Sequence, residues 1–144
     1  MNRLLIDTSV LIKWFQSEGE GDLREARALR GAHVAGEVDA HIIDLALYEV
    51  GNVLHRGLRW SAADTAAQLD DLMAIVGPPL LADALILRRA TGLAEQHGLS
   101  FHDASWAAAA QELRIPLVTA DRRLLAAGLA ESPAEIANRL RLAP

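Results

Sequence analysis

Asp7, Glu49, Asp103 and Asp121 are the residues whose types and placement point to chemistry. Two of them close short apolar runs, Leu4-Leu5-Ile6-Asp7 and Pro116-Leu117-Val118-Thr119-Ala120-Asp121. Asp103 opens a helical pattern, and Glu49 lies inside another. Carboxylates at strand ends and helix starts, spread over most of a chain, can meet in one acidic pocket. Hard oxygen ligands favour Mg²⁺ or Mn²⁺ over softer metals. Such an ion lowers the pKa of a water and stabilises charge on a phosphate, which is the chemistry of phosphodiester hydrolysis. Without metal the four acids repel one another, and at least one pKa should rise.

Capping explains each aspartate equally well when it is taken alone. Asp7, Asp44, Asp83, Asp103 and Asp121 all stand where an N-cap would stand, and a carboxylate there accepts free N–H groups of the first turn. Glu49 caps nothing, because it is mid-helix. Its helical neighbours Leu45, Ala46, Asn52 and Val53 include no base, so it has no ion-pair partner at three or four residues. Val50, Val53 and Leu54 make its surroundings apolar, where an unpaired carboxylate is costly. It therefore either points to water or meets something cationic in the fold. Ser9 follows Asp7 at two residues, and Thr119 precedes Asp121 at the same spacing. Hydroxyls so placed can orient metal ligands, or they can cap helices.

Other chemistries fit less well. The histidines, His33, His41, His55, His97 and His102, include no pair at i,i+4, so a histidine zinc site is not expected. A dehalogenase-like phosphatase needs a second acid two residues after its strand-end aspartate, and Ser9 occupies that place. A reading of another class is an interaction module with structural acids, in which Leu11, Trp14, Phe15 and Trp60 receive a partner helix or else join the core.

The elements that must position these residues alternate. Strands are expected at Leu4–Ile6, Val38–Ile43, Leu80–Ala82 and Leu117–Thr119. Helices are expected over Thr8–Phe15, over Asp22–Ala35, and from Asp44 to about His55. Ser61 and Asp64 form a capping pattern before Leu69, Leu72, Met73 and Val76 at helical spacing. Asp83 opens a helix with Leu87, Ala90, Thr91 and Ala94 on one face, closed by His97-Gly98. Asp103 opens another, with Trp106, Ala107, Ala110 and Leu113 inward. Asp121 opens a short helix ending near Gly128, and Ser132-Pro133-Ala134-Glu135 starts a last one. This order predicts an α/β fold with a mostly parallel sheet covered on both faces. Ligands bind such sheets beyond the carboxyl ends of the strands, where Asp7 and Asp121 fall.

Composition sets bounds. The chain has 144 residues, of which 51% are hydrophobic, so one domain over residues 1–144 with a substantial core is expected. It has no cysteine, which excludes disulfides, thiolate metal sites and a cysteine nucleophile, and fits a cytoplasmic protein. No apolar stretch approaches the ~20 residues that span a membrane, and Asp7 interrupts the first apolar run, so no signal peptide is expected. The net charge of −5 argues against a nucleic-acid partner at first sight. Removing the four site acids from 19 leaves 15 acidic residues against 14 basic. The arginines also cluster, as Arg24, Arg27 and Arg30, Arg56 and Arg59, Arg88 and Arg89, and Arg122 and Arg123. Their forked guanidinium groups suit phosphate, although solvated helix faces look the same in a sequence.

Four blocks resemble the PIN domain: Leu5-Ile6-Asp7-Thr8-Ser9-Val10-Leu11, Tyr48-Glu49-Val50-Gly51-Asn52-Val53-Leu54, His102-Asp103-Ala104-Ser105-Trp106-Ala107, and Leu117-Val118-Thr119-Ala120-Asp121-Arg122-Arg123-Leu124. They stand in family order and span nearly the whole chain. Within the family they are most similar to VapC-type ribonuclease toxins of toxin–antitoxin pairs. The resemblance implies a three-layer α/β/α sandwich and a metal-dependent endoribonuclease. It implies that Asp7, Glu49, Asp103 and Asp121 bind Mg²⁺ or Mn²⁺, with Ser9 and Thr119 supporting them. It further implies a homodimer held in check by a small antitoxin, which would lay an apolar helix near Trp14 and insert a basic side chain among the acids. Arg122, Arg123 and His102 are the candidate RNA contacts. The chain departs from the family pattern at His102, where relatives often carry tyrosine, and in the Ser132–Leu142 tail, where no last strand is evident.

Overall fold

Three short parallel strands form the centre, and the strand order is β2-β1-β3. The computed structural model describes residues 1–143. β1 (Asn2–Ile6) leads into α1 (Thr8–Leu11), which tightens into a 3₁₀ turn over Ile12–Trp14. α2 (Leu23–Val34) returns the chain to β2 (Val38–His41). α3 (Leu45–Asn52) follows and ends in one wide turn over Val53–Gly57. Next come α4 (Ala62–Val76), α5 (Ala84–His97), α6 (Phe101–Leu113), β3 (Leu117–Val118), α7 (Arg122–Ala126) and α8 (Pro133–Arg139).

β1 is buried from Leu4 to Ile6 because it is the middle strand, paired to β2 from Asn2–Val38 to Leu5–His41 and to β3 at Leu5–Leu117 and Ile6–Val118. A strand covered on both faces must be apolar throughout, and Leu-Leu-Ile supplies that. The expected strand at Leu80–Ala82 shrinks to a single bridge between Leu80 and Ile43, held by Leu80 N–H to Ile42 O and Asp44 N–H to Leu80 O. Pro78 and Pro79 leave it little length to pair. A second bridge joins Val118 to Glu131 and adds the outer sheet edge beyond β3. That edge precedes the Ser132–Leu142 tail, which is helical from Pro133 with a full capping box between Ser132 and Glu135.

Other expectations shift in register. The buried face of α5 runs through Ile86, Ala90 and Leu93, with Leu87 and Thr91 exposed. α6 is buried on every side from Ala104 to Ala110, and its alanines let α5 pack closely against it. Leu11 and Trp14 belong to the core rather than to a docking face, and Phe15 meets Trp60 edge-on at 6.2 Å between ring centroids. Leu11 and Trp14 are therefore not exposed for a partner helix to meet. Arg27 and Arg30 are also committed internally: Arg27 donates to Lys13 O and Ser17 Oγ, and Arg30 donates to Trp14 O. Among the described residues no helix is long and apolar enough to cross a membrane.

Candidate active site

Asp7 stands directly after β1, at the carboxyl end of the central strand, and its side chain caps no helix N–H. Instead Asp7 Oδ2 accepts from Ser9 Oγ at 2.9 Å and from Thr119 Oγ1 at 2.6 Å. Ser9 Oγ in turn accepts from Ala120 N–H, and Thr119 Oγ1 from Asp121 N–H. The two hydroxyls thus tie the end of β1 to the end of β3, and both give their protons to one carboxylate oxygen.

The other acids arrive from separate helices. Glu49 is carried mid-α3, and its Oε1 accepts from Thr8 Oγ1 at 2.9 Å and from Trp106 Nε1 at 2.8 Å. Its apolar surroundings are answered by two neutral donors rather than by a basic side chain. Asp103 is three residues into α6, whose cap is Ser100: Ser100 Oγ accepts the Asp103 N–H. The Asp103 carboxylate is therefore free of the capping role that the sequence allows it. Asp121 does cap, taking the Arg123 N–H at 2.8 Å. Asp83 likewise caps α5, while Asp44 takes the Ala82 N–H and pins the loop before α5.

All four acids line one cavity of about 640 Å³, together with Thr8, Ser9, Tyr48, Asn52 and His102. Burial raises the Asp7 carboxyl from 3.8 to about 6; the Glu49 charge adds to this, while bonds from Thr119, Ser9 and the Thr8 backbone oppose it. Asp103 is raised too, first by burial and then by the charge of Asp121, to which its protonated form hydrogen bonds. The repulsion expected among the acids is present, but desolvation outweighs it in both cases.

Among the described residues no three acidic or histidine side chains stand close enough to hold a metal ion as they are placed. The acids share the cavity without closing on one point. Their chemistry nevertheless fits a hard divalent cation, since every acid brings carboxylate oxygens to a space where negative charge is already strained.

His102 lines the cavity, whereas Arg122 and Arg123 are exposed at the start of α7 and do not line it. Sequence reasoning missed Thr8 and Trp106 as partners of Glu49. The unpaired, apolar setting of Glu49 was the available signal that some donor had to come from elsewhere.

Residues 4–129 match the PIN domain. The chain belongs to the PIN domain family. The four sequence blocks and the α/β architecture agree with that membership. This PIN domain is 35% identical over 85 residues to a protein named exonuclease VapC9 from Pyrobaculum aerophilum. That match covers 59% of this chain and 64% of the relative, so the chain spans less than two thirds of the relative it matches. The crystal structure of PAE2754 from Pyrobaculum aerophilum superposes with a TM-score of 0.68 at 27% identity, covering 97% of each chain. A toxin–antitoxin complex from Klebsiella pneumoniae superposes at 0.64 with 22% identity, covering 90% of this chain and 97% of the other. VapBC2 from Rickettsia felis, bound to a DNA fragment from its promoter, superposes at 0.65 with 14% identity, covering 90% and 96%. The last two likenesses concern the fold alone.

Proposed function

We propose that this PIN domain is a divalent-metal-dependent endoribonuclease, using Mg²⁺ or Mn²⁺, and the toxin of a toxin–antitoxin pair. The single observation that carries the reading is the meeting of Asp7, Glu49, Asp103 and Asp121, from four separate parts of the chain, around one cavity. Family membership supports it, as do the similarity to a protein named VapC9 and the fold shared with toxin–antitoxin complexes.

In this reading the four carboxylates hold the cation, which supplies positive charge and Lewis acidity at the scissile phosphate. Ser9 and Thr119 keep Asp7 anionic and fixed by donating to Oδ2. Thr8 and Trp106 fix Glu49 by donating to Oε1. His102 and the exposed Tyr48 stand at the cavity wall, where an RNA strand enters. Arg122 and Arg123 follow Asp121 and meet flanking phosphates. A cognate antitoxin inhibits by placing a basic side chain among the acids, and the chain works in the cytoplasm as a homodimer.

Linear and circularised RNA, incubated with Mg²⁺, with Mn²⁺ and with EDTA, test the proposal. Metal-dependent cutting of the circle is expected, because a circle has no end for an exonuclease. Cutting of the linear RNA alone would make the enzyme an exonuclease. Cleavage that persists in EDTA, or an Asp7→Asn protein that cuts at full rate, would overturn the metal mechanism.

A further inference from the structure

Trp106 is fully buried in α6, and its indole N–H points at an acid of the cavity rather than at a backbone carbonyl. A buried indole N–H needs an acceptor. Here that acceptor is Glu49 Oε1, 57 residues away in sequence. Thr8 Oγ1 donates to the same oxygen. Glu49 Oε2 has no donor among the described residues. One carboxylate oxygen is thus held twice, and the other is left unbonded in a residue that lines the cavity.

We propose that Trp106 and Thr8 are positioning residues that lock Glu49 Oε1 and leave Oε2 as the one oxygen Glu49 offers to a cation in the cavity. The inference rests on the nuclease reading above and names what sets its metal affinity. Both act through Glu49. Each restrains the rotamer of Glu49, so an arriving ion would meet a carboxylate already held in place; outer donors of this kind change metal affinity by about 10–100-fold when removed. Thr8 follows Asp7 in sequence and sits at the start of α1, while Trp106 lies one helical turn after Asp103 in α6. The donors to Glu49 therefore come from the two elements that carry two of the other acids. A shift of either element moves Glu49 with it.

Trp14 supplies an internal control. Its indole nitrogen is also buried, yet it finds no acceptor among the described residues. Mg²⁺ titrated into the ¹⁵N-labelled full chain should move the indole N–H resonance of Trp106 saturably and leave those of Trp14 and Trp60 in place. Trp106→Phe should weaken Mg²⁺ binding, read by calorimetry and by thermal shift, by about ten-fold. Its RNA cleavage should need correspondingly more Mg²⁺. Thr8→Val should act in the same direction, and Thr8→Ser should restore wild-type affinity; this pair decides if Trp106→Phe fails to fold. An unmoved Trp106 resonance alongside Mg²⁺ binding that Asp7→Asn abolishes would overturn the inference and leave the nuclease reading intact. Mg²⁺ affinity unchanged in both Trp106→Phe and Thr8→Val would do the same. A wild-type chain that binds no Mg²⁺ removes both.

Discussion

Thr119 Oγ1 lies 2.6 Å from Asp7 Oδ2, across 112 residues of sequence. The bond joins the ends of two adjacent strands, and it is buried. Thr119 also accepts the Asp121 N–H, so one hydroxyl serves two of the candidate acids. Thr119→Val removes a donor to a buried carboxylate and an acceptor for a backbone N–H. Leaving such groups unpaired costs about 1–3 kcal/mol. Urea unfolding should show that loss for Thr119→Val, and Thr119→Ser should recover most of it. Equal stability of the valine and serine variants would mean that the bond contributes nothing.

Asp7 gives the metal-free protein a pH-dependent weakness. Its carboxyl titrates at 3.8 without the fold and at about 6 within it. Between those values the folded chain holds the extra proton, so stability falls as pH rises from about 4 to about 6, and the deficit is complete above that. A rise of this size corresponds to at most ~3 kcal/mol. In EDTA at pH 7.5, Asp7→Asn should therefore be more stable than the wild type, and the gap should close as pH falls toward 4. Denaturant midpoints across that range check it. A less stable Asn variant at pH 7.5 would show that the charged form of Asp7 is not under strain.

Metal should reverse the same weakness. A ligand that binds only the folded state stabilises it by ~2.7 kcal/mol at a hundred times its dissociation constant. Mn²⁺ or Mg²⁺ should raise the melting temperature of the wild type and leave Asp7→Asn unchanged. An equal rise in both proteins would place the ion away from Asp7.

Much of this was legible because the chemistry and the local structure share residues. Leu4-Leu5-Ile6 is apolar without alternation, which marks a strand buried on both faces, and Asp7 ends it. The helices carry their own punctuation, as at Ser132-Pro133 and at His97-Gly98, where Gly98 takes the left-handed turn that closes α5. At Leu80–Ala82 an apolar run of three residues does not say how many of them find a partner, and only Leu80 does. The buried face of α5 differs from the expected one because Ile86 and Leu87 are equally apolar, and only packing against α6 chooses between them. Asp103 and Ser100, three residues apart, are equally good caps in sequence, and in the fold Ser100 takes the role. Thr8 and Trp106 were hidden for a different reason: a hydrogen bond over 57 residues, such as Trp106 to Glu49, leaves no mark in spacing.

The arginines separate in the same way, and they carry the last prediction. In sequence Arg30 and Arg123 look alike, each a member of a cluster. In the fold Arg30 donates to Trp14 O at the end of the first 3₁₀ turn, while Arg123 is exposed beside Asp121. Loss of Arg30 strands a partly buried carbonyl, so Arg30→Ala should cost about 1–3 kcal/mol of stability and leave RNA binding unchanged. Loss of Arg122 or Arg123 should barely change stability, because surface substitutions stay within about 0.5 kcal/mol. Each should instead remove one phosphate contact and flatten the slope of log affinity against log salt by about 0.7 for single-stranded RNA. The measurement is RNA affinity at several salt concentrations in an Asp7→Asn background, which should bind without cutting. A slope that Arg122→Ala and Arg123→Ala leave untouched would exclude this edge of α7 from the path of the strand, and the phosphates would then have to meet other exposed bases.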